Sequence, residues 1–247
     1  AFLLSEKQLK INTLLKLGAE IGGRAATFLL LLWAARQLST ADFGSYNTAL
    51  AVGFVLVQMS DFGLQLLLSR EVARLNTAAQ PQVVAAFQLK LWLSLPVLLL
   101  LALAAIGAAN NGPVVFLVGF TLLLQTFIEF AAYVFRGQQQ LEVEAQMLIW
   151  VRVGTAVFGA YILWHNGQLL GLALVSLAVM ASGLGFALWH LRRAGWVTHV
   201  RQLWPTQLPH TAVTRQLMQQ AWPLGLSIFL SIAYTRLAIL LLGIWRD

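Results

Sequence analysis

The 247 residues include no cysteine and little charge: nine acids and sixteen Lys or Arg, together 10% of the chain. Without cysteine there are no disulfides, no thiolate metal ligands and no Cys nucleophile. Catalytic signatures are missing as well. No Gly-rich phosphate loop, no HExxH and no usable spacing of Ser, His and Asp occurs, and the histidines are scattered at His165, His190, His199 and His210. The chain is therefore expected not to be an enzyme and to hold no metal or organic cofactor. Its start, AFLLSEKQLK, has neither an initiator Met nor the basic stretch, apolar run and cleavage site of a secretory leader. The first residues are expected to have been trimmed or left out.

What is present is apolar. Hydrophobic residues make up 59% of the chain, against about 45–50% in soluble domains, where about a quarter of residues are charged. They come in blocks long enough to cross roughly 30 Å of hydrocarbon, which predicts an all-α, polytopic membrane protein. Helices are expected at about 14–38, 43–68, 84–108, 114–136, 143–164, 168–190 and 219–243, about seven crossings. STADFG, NTAAQP, ANNGP, RGQQQ and HNGQ supply the turns between the first six. Residues 191–218 read as a longer linker, in which Trp196 and Trp204, beside arginines, are expected at the headgroup level.

Basic residues near span ends favour the cytoplasmic side. Lys7, Lys10, Arg70, Arg74, Lys90, Arg136, Arg192, Arg193, Arg201 and Arg215 all fall on one side of this topology, against Arg36 and Arg246 on the other. The amino terminus is expected inside. Distribution by membrane side also accounts for the net charge of +7 and argues against a nucleic-acid partner. An odd number of crossings leaves Asp247 outside directly after an apolar segment, so the chain is expected to be the opening part of a longer transporter or channel.

A few ionisable residues stay inside the predicted helices: Lys16, Glu20, Arg24, Glu129, Arg152 and Arg236, with Asp61 near the end of the second. An ionised group at the bilayer centre costs about 2.5–3.5 kcal/mol, so three arginines facing lipid would cost on the order of 8–10 kcal/mol. Arg24, Arg152 and Arg236 are expected to face a bundle interior, a hydrated cavity or a carboxylate partner instead. Lys16, Glu20 and Arg24 recur every four residues and share one helix face. That stripe reads either as the wet edge of a helix starting in the interface or as cavity lining. Glu129 is either a structural partner of Arg24 or Arg152, or a protonatable, cation-binding carboxylate coupling transport to a proton or sodium gradient. Asp61, just before Phe62-Gly63, reads mainly as a helix break or cap and secondarily as an ion-coupling residue.

Several strings match a known pattern. Ala35-Arg36-Gln37-Leu38, Asp42-Phe43-Gly44-Ser45-Tyr46, Asp61-Phe62-Gly63-Leu64 and Arg70-Glu71-Val72-Ala73-Arg74 follow one another near the start. Pro223, Gly225, Leu226, Ser227, Tyr234, Arg236, Leu242 and Gly243 recur near the end. This resembles the polysaccharide-type, or O-antigen, flippases of the multidrug/oligosaccharidyl-lipid/polysaccharide (MOP) superfamily. Ala238 stands where that pattern commonly has an acid.

The resemblance implies two helical lobes around a central cavity. Residues 1–190 would form the first six-helix lobe, 191–218 a cytoplasmic interlobe linker, and 219–247 the first helix of a second lobe. It also implies a polyprenyl-diphosphate-linked oligosaccharide as substrate, moved across a bacterial inner membrane by alternating access for lipopolysaccharide-type surface glycans. Membrane lipids and other polysaccharide-assembly membrane proteins would be its partners. A cationic lumen suits such a substrate, since Arg offers planar, permanently charged donors to phosphate oxygens. Two alternatives are a multidrug or metabolite exporter of the same fold and a membrane-embedded glycan polymerase or ligase. The first would favour acidic cation sites, and the second a large reactive loop that the short connections do not supply.

Overall fold

The computed structural model describes the backbone of residues 6–108, 111–166, 168–199, 203 and 212–245. These residues form eight α-helices and a short 3-10 turn, with no strand among them. The helices are α1 (Glu6–Gln37), α2 (Thr40–Asp61), α3 (Leu64–Leu75), α4 (Gln80–Gly107), α5 (Gly112–Gly137), α6 (Leu141–Asn166), α7 (Leu169–Arg193) and α8 (Ala212–Trp245). Among the described residues, five segments are long and apolar enough to cross a membrane: Thr13–Gln37, Leu64–Gly107, Gly112–Gly137, Leu141–His165 and Leu169–Arg193. The fold is that of an all-α, polytopic membrane protein with about seven transmembrane helices. α2 is more polar than these five because Asp42, Ser45, Tyr46, Asn47 and Thr48 occupy its first turns.

Local chemistry places most helix ends. The Ser39 hydroxyl caps α2 by accepting the Asp42 N–H at 3.1 Å. Pro81 and Pro113 stand in the first turns of α4 and α5, where the missing N–H had no partner to lose.

The expected second helix, 43–68, is in fact two. α2 stops at Asp61, Phe62 (φ 42°) and Gly63 (φ 77°) adopt left-handed backbone, and α3 restarts at Leu64. The reason is tertiary, because α8 crosses at this break. A Cβ on Gly63 would lie 2.8 Å from the Gly225 nitrogen, and one on Gly225 would lie 2.6 Å from the Phe62 carbonyl carbon. Such an approach needs glycine on both sides. Trp222 stacks on Phe62 beside it, with ring centroids 5.5 Å apart.

The linker between α7 and α8 is shorter than expected, since α7 runs to Arg193 and α8 begins at Ala212. Trp196 is not exposed: it is 2% accessible and donates its indole N–H to Gln138 Oε1 at 3.1 Å. Satisfying the polar end of the ring in the α5–α6 turn permits the burial. Trp204 lies outside the described residues.

α5 is the central helix, with Phe127, Phe130, Ala131, Val134 and Phe135 buried, and α2, α3, α4, α6 and α7 pack around it. α1 sits at the edge against α6, and α8 packs on the other side against α2, α3 and α4. Lipid is as apolar as leucine, so close packing and internal polar pairing hold such a bundle.

Candidate functional site

Helix order leaves a cavity. α1 follows α6 and barely touches its sequence neighbour α2, so a wedge opens between them. This cavity, about 530 Å³, is lined by residues of α1, α2, α5, α6 and α7. Its walls are mainly apolar, among them Leu30, Leu50, Phe54, Leu122, Val151 and Met180. Three charged side chains reach it: Arg24 from α1, Glu129 from α5 and Arg152 from α6.

Arg24 has a side chain 76% exposed and an intrahelical partner in Glu20, at 3.6 Å. Arg152 is held more tightly. Its side chain lies across α1 at Gly23, where an added Cβ would stand 2.6 Å from Arg152 Cδ. Arg152 Nη1 and, one turn on, Thr155 Oγ1 are buried without any hydrogen-bond partner. Glu129 accepts a 2.8 Å hydrogen bond from Gln125 Nε2, and among the described residues no ion pair includes it.

The other ionisable candidates lie elsewhere. Lys16 leaves the Lys16–Glu20–Arg24 stripe to pair with Glu144 of α6 at 3.2 Å. Glu144, fully buried, also accepts from Arg136 Nε at 2.9 Å and pairs with its Nη2. Asp61 ends α2 as expected of a break, but its carboxylate is taken by Lys90 Nζ at 2.8 Å. Neither Lys16 nor Asp61 lines the cavity. Arg236 belongs to α8, and its side chain lies outside the described residues.

Lys90 and Glu144 are what sequence reasoning missed. Lys90 reads as a residue flanking the second loop, yet it sits inside α4, wholly buried, with its ammonium 5.4 and 5.7 Å from the Phe127 and Phe130 ring centroids. The available signal was its context, AAFQLKLWLSL, a single cation amid apolar neighbours. Glu144 had a weaker one, its eight-residue distance from Arg136 across a turn.

Fold and site together define a class, a multi-spanning helical membrane protein with a cavity lined by two arginines and a glutamate. The family model for polysaccharide biosynthesis proteins matches residues 9–246, and the chain belongs to that family, the polysaccharide flippase family of the MOP superfamily. Its role therefore lies in polysaccharide biosynthesis or transport. No curated protein and no solved structure matches it.

Proposed function

We propose that this protein is a flippase that moves polyprenyl-diphosphate-linked oligosaccharide units from the inner to the outer leaflet of a bacterial cytoplasmic membrane. The amino terminus would be cytoplasmic, and the product would feed a surface polysaccharide such as O-antigen. The observation that carries this reading is the convergence of Arg24 and Arg152 on one mainly apolar cavity. Two permanent cations beside one cavity favour a diphosphate, whose oxygens accept paired guanidinium N–H donors. The apolar remainder tolerates the sugar faces and keeps water out. α1 to α7 would form the first lobe and α8 would open the second. The Gly63–Gly225 crossing would be the point at which the two meet.

Alternating access needs a term that differs between the two states. Glu129 supplies one in this reading: ionised, it offsets the cationic wall and favours release, and protonated or bound to sodium it leaves the arginines free for substrate. In this reading Arg236 of α8 would add a cation from the second lobe.

The test is complementation of a deletion strain with the full-length protein carrying Arg24→Ala or Arg152→Ala. Lipid-linked repeat units should collect on the inner leaflet and surface glycan should fall. Normal surface glycan from both variants would sink the reading.

A further inference from the structure

Leu172, Ser176 and Met180 put one face of α7 on the cavity. Ser182, Gly185, Phe186, Trp189, Arg192 and Arg193 lie on another, within an arc of about 120° and over about 16 Å of helix. There the rings form a ladder. Trp150 of α6 stacks on Phe186, with centroids 5.7 Å apart and planes inclined by 12°, and Phe186 stacks on Trp189 at 6.3 Å. The Arg193 guanidinium then lies over Trp189, 5.3 Å from its centroid. Trp150 satisfies its own polar end by donating its indole N–H to Ser182 Oγ at 3.2 Å. His190 braces the ladder from behind: its ring meets Phe186 and Trp189 at 4.3 and 4.6 Å, and its Nδ1 donates to the Phe186 carbonyl at 3.1 Å.

The outer surface of this ladder is open. Trp150 and Trp189 are 52% and 51% exposed, and a Cβ added at Gly185 would meet nothing within 4 Å. Its charge is also uncommitted. Arg192 and Arg193 are exposed and make no ion pair or side-chain hydrogen bond among the described residues. Arg136, whose neighbour Phe135 meets His190 at 6.3 Å, is by contrast taken by Glu144.

We infer that this face is a binding site for an anionic phospholipid, its phosphate held by Arg192 and Arg193 and one acyl chain lying along Trp189, Gly185 and Trp150. Two guanidinium groups supply planar donors to the phosphate oxygens. The ring beneath Arg193 holds that cation at headgroup height and leaves its N–H edges turned outward. The length of the face, about 16 Å, matches one leaflet of a hydrocarbon core roughly 30 Å thick. A zwitterionic lipid carries its own cation and gains less from the arginines. The site lies outside the cavity and does not depend on the flippase reading.

The test uses the full-length protein, stripped of lipid in detergent and titrated with phosphatidylglycerol or with phosphatidylcholine of the same chains, bound lipid being counted by native mass spectrometry. Phosphatidylglycerol should bind roughly tenfold more tightly. Arg192→Gln with Arg193→Gln should remove that preference. Trp189→Leu should weaken phosphatidylglycerol several-fold, and so should Gly185→Leu, which fills the open flank without changing charge. Arg70→Gln, at an exposed arginine of α3, should leave its affinity within about twofold. Equal affinity for the two lipids overturns the inference, as does a loss from Arg70→Gln equal to that from the paired substitution. Displacement of phosphatidylglycerol by polyprenyl diphosphate at lower concentrations than by further phosphatidylglycerol also overturns it, since the site would then serve the substrate.

Discussion

Two regions of this lobe hold charge in opposite ways. On the α2–α4 side, Lys90 and Asp61 are buried together at 2.8 Å, and at the α5–α6 turn Glu144 is enclosed by Lys16 and Arg136. Each of these three cations has a carboxylate. In the cavity on the α1–α6 side, Arg152 has a buried nitrogen with no partner, Arg24 holds Glu20 only loosely, and Glu129 is bonded to an amide rather than a cation. Neutralised charge ties helices together. Charge left partly unsatisfied is free to meet something that comes and goes.

Substitutions can break that contrast, and the largest effect is expected at Lys90. Lys90→Met leaves Asp61 buried and unpaired, which should cost about 3–5 kcal/mol or prevent folding, while Asp61→Asn with Lys90→Met should recover most of the loss. Thermal unfolding in detergent checks this. A double variant no more stable than the single one would show that the pair does not act as a unit. Glu144→Gln comes next, at about 2 kcal/mol, because Lys16 and Arg136 are partly exposed and can find water.

Arg152→Gln should sharpen the comparison by reversing it. Stability should stay within about 1 kcal/mol, since no hydrogen-bond partner of Nη1 is lost, whereas glycan export should drop roughly tenfold or more. A variant markedly less stable in detergent that still exports normally would place Arg152 among the structural charges. The smallest effect belongs to Glu20→Gln: the exposed pair with Arg24 should contribute under about 0.5 kcal/mol, read as an unfolding midpoint that scarcely moves.

Much of the architecture was legible before any coordinates. Long apolar runs report membrane helices because every backbone polar group in lipid must be paired within its own segment, so periodicity and length suffice. The turn signals were local too, as with Ser39 capping α2 and prolines opening α4 and α5. The break after Asp61 was half legible. Asp-Phe-Gly marks a stop, but α3 resumes two residues later because α8 needs glycine at the crossing, and Gly225 is far away in the chain.

The charged residues within the helices divide in the same manner. The expectation that Arg24, Arg152 and Glu129 avoid lipid follows from the cost of an ion in hydrocarbon, which is a property of the residue and its segment. Spacing alone placed Lys16 with Glu20 and Arg24 on one face of α1. Which of the three would reach the cavity depended on Glu144, which lies on α6 and enters through tertiary packing. Lys90 shows the same limit, since only its encounter with Asp61 makes a buried ammonium tolerable. The sequence by itself determined a polytopic helical membrane protein with a few charges too costly for lipid. The tertiary structure decided which charges neutralise one another and which two arginines share a cavity, because pairing is set by distances between helices that no single segment encodes.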